Sequence, residues 1–188
     1  MALHFQHKQV LSAELSALPH TSPRLPLIFR FGTWEDLQKQ KGHPDYGYGA
    51  IPYLEGRLRA GDSFLLGELD GQLVMTAWLM RGTMELGELI VPIPKDHAYH
   101  YKLYTIEKFR RQGAARGLWM FLRERLMEQG IVRMISTVER RNTTSLHAHV
   151  QAGFRPLGSF AELQVGPMSG YVLSRALRRY LRDQRLPG

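Results

Sequence analysis

The apolar residues of this chain change their spacing once, around Gly113, and that change restricts the fold more than any other feature. Before it, residues 98–106 form a short, tyrosine-rich run of strand type. After it, Ala114, Ala115, Leu118, Trp119, Leu122, Leu126 and Met127 recur at helical spacing, Arg116, Arg123, Glu124 and Glu128 fill the other side, and Gly130 stands where a C-cap glycine belongs. Residues 131–138 then read as another strand. A strand, a buried-face helix and a strand in that order call for parallel pairing with a right-handed crossover, hence a mixed α/β architecture. Upstream, residues 63–68 and 72–80 flank Leu69-Asp70-Gly71, a strong hairpin signal. Residues 84–91, ahead of Pro92 and Pro94, read as a third strand, so that four strands in sequence suggest an antiparallel meander. Residues 25–31 alternate like a strand, Thr33-Trp34-Glu35-Asp36 offers a helix start with an acid three residues after a hydroxyl cap, 39–49 reads as loop and 51–59 as a short helix. Residues 142–151 read as a helix ended by Gly153, and strands continue to Leu173. The first two dozen residues are weakly patterned.

With 188 residues, no internal repeat and no long Pro/Gly/Ser stretch, one domain is the simple expectation, long enough to bury a core. Its apolar runs fall far short of the roughly 20 residues a membrane span needs. The first residues lack a basic segment leading into an apolar one, so a cytoplasmic location is the default. Cysteine is absent, which excludes disulfides, thiolate-ligated zinc and acylation of a protein thiol. Charge is unevenly placed. Residues 1–100 carry 9 Lys/Arg against 11 Asp/Glu, a net of −2, whereas 101–188 carry 16 against 6, a net of +10. A polyanionic partner would favour such asymmetry, whether nucleic acid, a membrane surface or a phosphorylated cofactor; solvated helix faces explain Arg175, Arg178, Arg179, Arg182 and Arg185 equally well.

The most informative segment is 103–115. A strand runs out through a basic turn into a helix whose first turn holds only small residues, leaving backbone N–H groups open to an anion. Gly113, Ala114 and Ala115 admit an oxygen close to the main chain, and Arg110, Arg111 and Arg116 surround it with positive charge. The stricter nucleotide fingerprints G-x-x-x-x-G-K-[ST] and G-x-G-x-x-G are absent.

Arg110-Arg111-Gln112-Gly113-Ala114-Ala115 resembles the acetyl-coenzyme A loop of the GNAT superfamily of N-acetyltransferases, [RQ]-x-x-G-x-[GA], at every specified position. A second element of that family, N-x-x-[AS]-x-x-x-[YH]-x-x-x-G-F, is matched by Asn142, Ser145, His149, Gly153 and Phe154. The resemblance covers residues 63–160 well and the first 60 by general layout. It implies a mostly antiparallel central sheet with a splayed, bulged strand, flanked by helices, in a single domain: residues 1–60 a variable acceptor side, 63–160 the acetyl-coenzyme A core and 174–188 a basic tail. It implies acetyl transfer from acetyl-coenzyme A to a primary amine by direct attack in a ternary complex. Thr105 and Ile106 would contact the pantetheine arm and the acetyl carbonyl through their backbone, Arg110 to Arg116 would hold the diphosphate, and Asn142 would sit near the pantetheine, being also a natural N-cap. His149, at a position more often tyrosine in similar proteins, would act as general acid, with a histidine packed against the cofactor and water as the acid being the rival reading.

For the base, strand parity and the family's habit favour His97, Tyr99 and Tyr101, with Glu85 and Glu88 on the preceding strand as rivals. Catalysis is thus expected from His149, Tyr101 and Glu85. His147 and His149 point different ways on a helix and make no metal pair, so no metal is expected. Trp119 and Phe121 read as core, whereas Trp34, Tyr46, Tyr48 and Tyr53 suggest an aromatic acceptor pocket. The partners expected are acetyl-coenzyme A and an amine acceptor, with a homodimer open and no membrane. Two other readings stand beside the enzyme: a nucleic-acid-binding protein using the basic half, disfavoured because no recognition motif accompanies the charge, and a silent coenzyme A-binding relative.

Overall fold

The computed structural model describes residues 3–18, 25–40, 51–87 and 89–183. It contains ten strands: β1 (Leu3–Glu14), β2 (Ile28–Phe31), β3 (Ser63–Leu69), β4 (Gln72–Arg81), β5 (Thr83–Leu86), β6 (Leu89–Pro92), β7 (His97–Thr105), β8 (Arg133–Glu139), β9 (Arg155–Val165) and β10 (Met168–Leu173). Five α-helices accompany them: α1 (Trp34–Lys39), α2 (Ile51–Arg59), α3 (Ala114–Met127), α4 (Thr143–Gln151) and α5 (Arg175–Asp183). The chain divides into two compact units, Met1–Leu18 with Arg81–Tyr99 and Gly130–Gly188, and Pro19–Met80 with His100–Gln129.

In the first unit the strands run β10-β9-β1-β8, each neighbour antiparallel. The long first strand is the largest surprise of the fold. Its first seven residues show no alternation in burial, its register against β9 shifts between Val10 and Leu11, and Val10 and Leu11 are buried side by side, so the sequence carries no period-2 signal. Residues 84–91 form no single strand, contrary to the expectation: Gly87, at φ +67°, turns the chain, and β5 and β6 pair with each other as a separate hairpin. That turn packs on Glu162, whose carboxylate occupies the space a Cβ at Gly87 would need. Val10, Leu15, Met134, Ile135, Phe154, Phe160 and Leu177 form the buried apolar set here.

In the second unit the order is β7-β4-β3-β2, with β2–β3 and β3–β4 antiparallel. Asp70 and Gly71 both take positive φ, 50° and 76°, as a two-residue hairpin turn demands. α1 begins with the expected hydroxyl cap. Thr33 accepts from the Asp36 N–H while the Asp36 carboxylate accepts from the Thr33 N–H. Asp36 also holds Arg30, which reaches Glu68 on β3, and this guanidinium pulls the Asp36 carboxyl well below its ordinary range. α3 buries Leu118, Trp119, Leu122 and Leu126, the stripe its spacing announces, and Phe64, Leu65, Leu66, Val74, Met75 and Trp78 line the strands. No helix among the described residues is long and apolar enough to cross a membrane.

Candidate functional site

The loop between β7 and α3 is built by three unusual backbone conformations. Lys102, inside β7, lies at φ +47°, a left-handed residue of the kind that marks a bulge and re-aims the strand's polar groups. Arg111 at φ +63° and Gly113 at φ +84° then bend the main chain twice more before the helix. Gly113 is the N-cap of α3 and no side chain caps it, so the first-turn N–H groups of Ala114, Ala115 and Arg116 have no intrahelical acceptor. Alternating left- and right-handed residues ahead of a helix start make a concave nest of N–H groups, and the helix dipole adds positive potential. The side chains brace the turn from outside. Arg110 Nε donates to the Thr105 carbonyl at 3.1 Å and its guanidinium lies 5.7 Å from the Tyr104 ring, while Gln112 Nε2 donates to the Lys108 carbonyl at 3.0 Å. Arg111 is exposed and Arg116 half-buried.

Ile106 departs from its expected part. Its N–H donates to the Val74 carbonyl at 2.9 Å and is spent on β4. Backbone polarity alternates along a strand, so the Thr105 N–H and carbonyl face away from β4, and the carbonyl accepts from Arg110.

Tyr101 lies on the same strand, buried, and its hydroxyl donates to Asp62 Oδ2 at 2.5 Å. Asp62 is clamped in turn by Arg57 Nε and Nη2 at 2.8 and 3.0 Å. Burial, and then the bond to the carboxylate, push the Tyr101 phenol far above its ordinary value. It therefore stays protonated and donates, which is the opposite of what a base does. Arg57 is desolvated, which lowers its pKa, but its bonds to Asp62 and Tyr101 outweigh that and hold it charged. Neither Arg57 nor Asp62 stood out in the sequence, where both sit in an ordinary mixed-charge stretch. Of the aromatic residues expected to form an acceptor pocket, Trp34 carries the Arg59 guanidinium at 4.8 Å and Tyr53 the Lys102 ammonium at 5.0 Å. Tyr46, Tyr48 and Glu88 lie outside the described residues.

The first unit holds the second motif. Asn142 caps α4, its Oδ1 accepting from the Ser145 N–H at 3.1 Å. One turn on, His149 is buried and T-shaped against Phe154. Its Nδ1 lies 2.8 Å from the Ser145 carbonyl and donates to it, so in the neutral ring Nε2 is the acceptor and takes the Ser136 hydroxyl at 3.1 Å. Desolvation pushes the ring below the ordinary imidazole value even against the Ser145 bond. A neutral imidazole with both nitrogens engaged does not match the general-acid role expected of it.

The base candidates of this unit are likewise committed. His97 is stacked on Tyr180 with its Nδ1 2.9 Å from that hydroxyl, and burial lowers its pKa. The Tyr99 hydroxyl is paired with Thr137 Oγ1 at 2.7 Å, and burial, with the negative Glu85 nearby, raises its pKa. Glu85 is half-buried on β5. A buried carboxylate that sequence reasoning missed, Glu162, accepts from Tyr171 at 2.7 Å and from Gln6. No group of three or more metal-ligating side chains occurs among the described residues.

Residues 29–154 match the sequence family described as the acetyltransferase (GNAT) family. No curated protein matches the chain. Among solved structures, an acetyltransferase from the GNAT family of Colwellia psychrerythraea is similar with a TM-score of 0.62 at 14% identity, over 87% of this chain and 56% of that one. The aminoglycoside acetyltransferase AAC(6')-Iy, in complex with a bisubstrate analogue of coenzyme A and acetylneamine, is similar with a TM-score of 0.52 at 18% identity, over 69% of this chain and 90% of that one. An aminoglycoside acetyltransferase from an uncultured soil metagenomic sample, in complex with sisomicin, follows at 0.50 and 15%, over 68% and 87%. The chain spans less than two thirds of the first structures it matches, 62% of a Staphylococcus epidermidis protein and 53% of a Drosophila one.

Proposed function

Because the chain belongs to the GNAT acetyltransferase family, whose cosubstrate is acetyl-coenzyme A, we propose that it transfers an acetyl group from that thioester directly to a primary amine. The observation that carries the reading is the start of α3. Left-handed Arg111 and Gly113 turn unsatisfied N–H groups outward, Ala114 and Ala115 put no side chain over them, and three arginines supply charge, so the residues present suit a diphosphate. Bound there, acetyl-coenzyme A supplies an activated thioester whose sulfur is the leaving group.

The chain's own residues then divide the work. The outward Thr105 N–H donates to the oxygen on which negative charge develops, an effect typically worth about 3 to 4 kcal/mol per donor. Glu85 takes the proton of the attacking amine. Water returns a proton to the departing sulfur, because His149 is neutral and holds both its hydrogen bonds internally. His149 and Tyr101 act as positioning residues, the first fixing α4 to Ser136 and the second fixing β7 to Asp62 and Arg57. With no cysteine among its 188 residues, the chain has no thiol to acylate, which supports direct attack. Two similar structures hold aminoglycoside-derived ligands, so aminoglycosides head the acceptors to try, followed by amino sugars, polyamines and peptide N-termini.

The test is thiol release from acetyl-coenzyme A across that amine panel. Amine-dependent release, reduced at least tenfold by Glu85→Gln, is expected. Cofactor binding without release for any amine would leave a silent binder and overturn the transfer reading.

A further inference from the structure

α5 presents to solvent a face made of arginine alone. Arg175, Arg178, Arg179 and Arg182 follow the i, i+3, i+4, i+7 spacing that stacks side chains on one side of a helix, all four are exposed, and together they line one shallow surface hollow. The opposite side of α5 is fixed. Leu177 is fully buried and meets β9 where Gly158 leaves room for it, and the buried Tyr180 reaches His97. The Ser174 hydroxyl accepts from the Leu177 and Ser159 N–H groups and ties the helix start to β9. Arg178 Nε donates to the Leu173 carbonyl at 3.0 Å, which turns its terminal nitrogens outward. Among the described residues no carboxylate lies within 4.0 Å of Arg175, Arg178 or Arg179, and Arg182 meets only its neighbour Asp183, at 3.7 Å. Four like charges held this close on one helix face repel one another, and a bound anion relieves the repulsion.

The surroundings select the anion. An enclosed, largely apolar cavity would suit a small ligand, but the hollow is open and lined by arginine side chains, stems and guanidinium groups alike. A protein contact is centred on apolar and aromatic side chains as well as arginine, and a membrane-surface helix needs apolar side chains to insert; Leu177 and Tyr180 are turned inward and serve neither purpose. Single-stranded nucleic acid is gripped by stacking on aromatic rings, and the stripe has none. What remains is a regular array of phosphates. The stripe rises about 10 Å along the helix axis, which faces roughly three phosphates of one strand at about 3.4 Å of axis each. The major groove of B-form DNA admits an α-helix, whereas that of A-form RNA is too narrow. We propose that the arginine face of α5 is a docking surface for duplex DNA, read through its phosphates without sequence preference. The inference rests on α5 and does not depend on the assignment of acetyl-coenzyme A to the loop before α3.

The experiment is fluorescence anisotropy of the full chain with a labelled duplex of about 20 base pairs, between about 50 and 200 mM salt. Changing Arg175, Arg178, Arg179 and Arg182 together to Gln is expected to weaken binding at least tenfold at the lower salt and to flatten the log–log salt slope by about 3. A control with Lys39, Lys95, Arg125 and Arg140 changed to Gln removes equal charge elsewhere and should bind DNA as the parent does. Circular dichroism melting, with and without acetyl-coenzyme A, verifies that both variants are folded and keep their response to the cofactor. Equal loss in the two variants would overturn the proposal in favour of a diffuse field. So would an unchanged salt slope in the arginine variant, or tighter binding to duplex RNA, to anionic phosphatidylserine vesicles or to polyglutamate than to DNA.

Discussion

At the residue scale, the decisive fact is which polar groups are already taken. His149 has the residue type of an acid and sits in the right motif, yet its Nδ1 proton belongs to the Ser145 carbonyl and its Nε2 lone pair to Ser136. Replacing it with Ala should cost about 2 to 4 kcal/mol through lost packing against Phe154 and a stranded Ser136 hydroxyl, measured by chemical denaturation. The pH profile of kcat should keep its shape near the imidazole range; loss of a limb there would restore the acid role. Both His149 and His97 have folded-state values below the ordinary 6.5, so the unfolded chain takes up protons that the folded chain refuses. Their contribution is complete above about pH 6.5 and declines as pH falls through it, by at most about 1.4 kcal/mol per pH unit for each histidine. Melting temperature should therefore drop between pH 7 and 5, and His149→Gln should reduce that slope; an identical slope would contradict the buried-neutral assignment. Tyr101→Phe should cost about 1 to 3 kcal/mol by leaving Asp62 one donor short.

At the element scale, the loop into α3 depends on backbone that side chains oppose. Gly113 at φ +84° is the position where a β-branched residue is strained by roughly 1 to 2 kcal/mol and also covers the N–H nest. Gly113→Val is expected to weaken acetyl-coenzyme A binding by ten-fold or more in calorimetry, with only a modest fall in melting temperature. Unaltered affinity would remove the loop from the site. The helical spacing of Leu118, Trp119, Leu122 and Leu126 and the Asp70-Gly71 turn were legible in the sequence because each is a local preference repeated without contradiction. β1 was not, because its register shift at Val10 and Leu11 is set by β9, more than 140 residues away. The β5–β6 hairpin was hidden for a similar reason: one glycine at positive φ, packed on the distant Glu162, turns an apolar run that otherwise reads as one strand.

At the scale of the whole molecule, a ligand that binds only the folded chain must stabilise it by mass action. Acetyl-coenzyme A at about a hundred times its dissociation constant should add about 2.7 kcal/mol and raise the melting temperature, and coenzyme A should do so as well. No shift with either would defeat the proposed function. The positive charge of the chain after residue 100, a net of +10, includes the arginines of the turn ahead of α3 and those on the outer face of α5.

The amino-acid order alone determined the α/β class, the phosphate-suited turn and the family motifs, because these rest on spacing, small residues and glycine within a few positions of one another. Only the tertiary structure decided which titratable groups are spent. Hydrogen-bond partners such as Asp62 for Tyr101, Ser136 for His149 and Val74 for Ile106 come from remote segments, and burial sets the charge each group can carry.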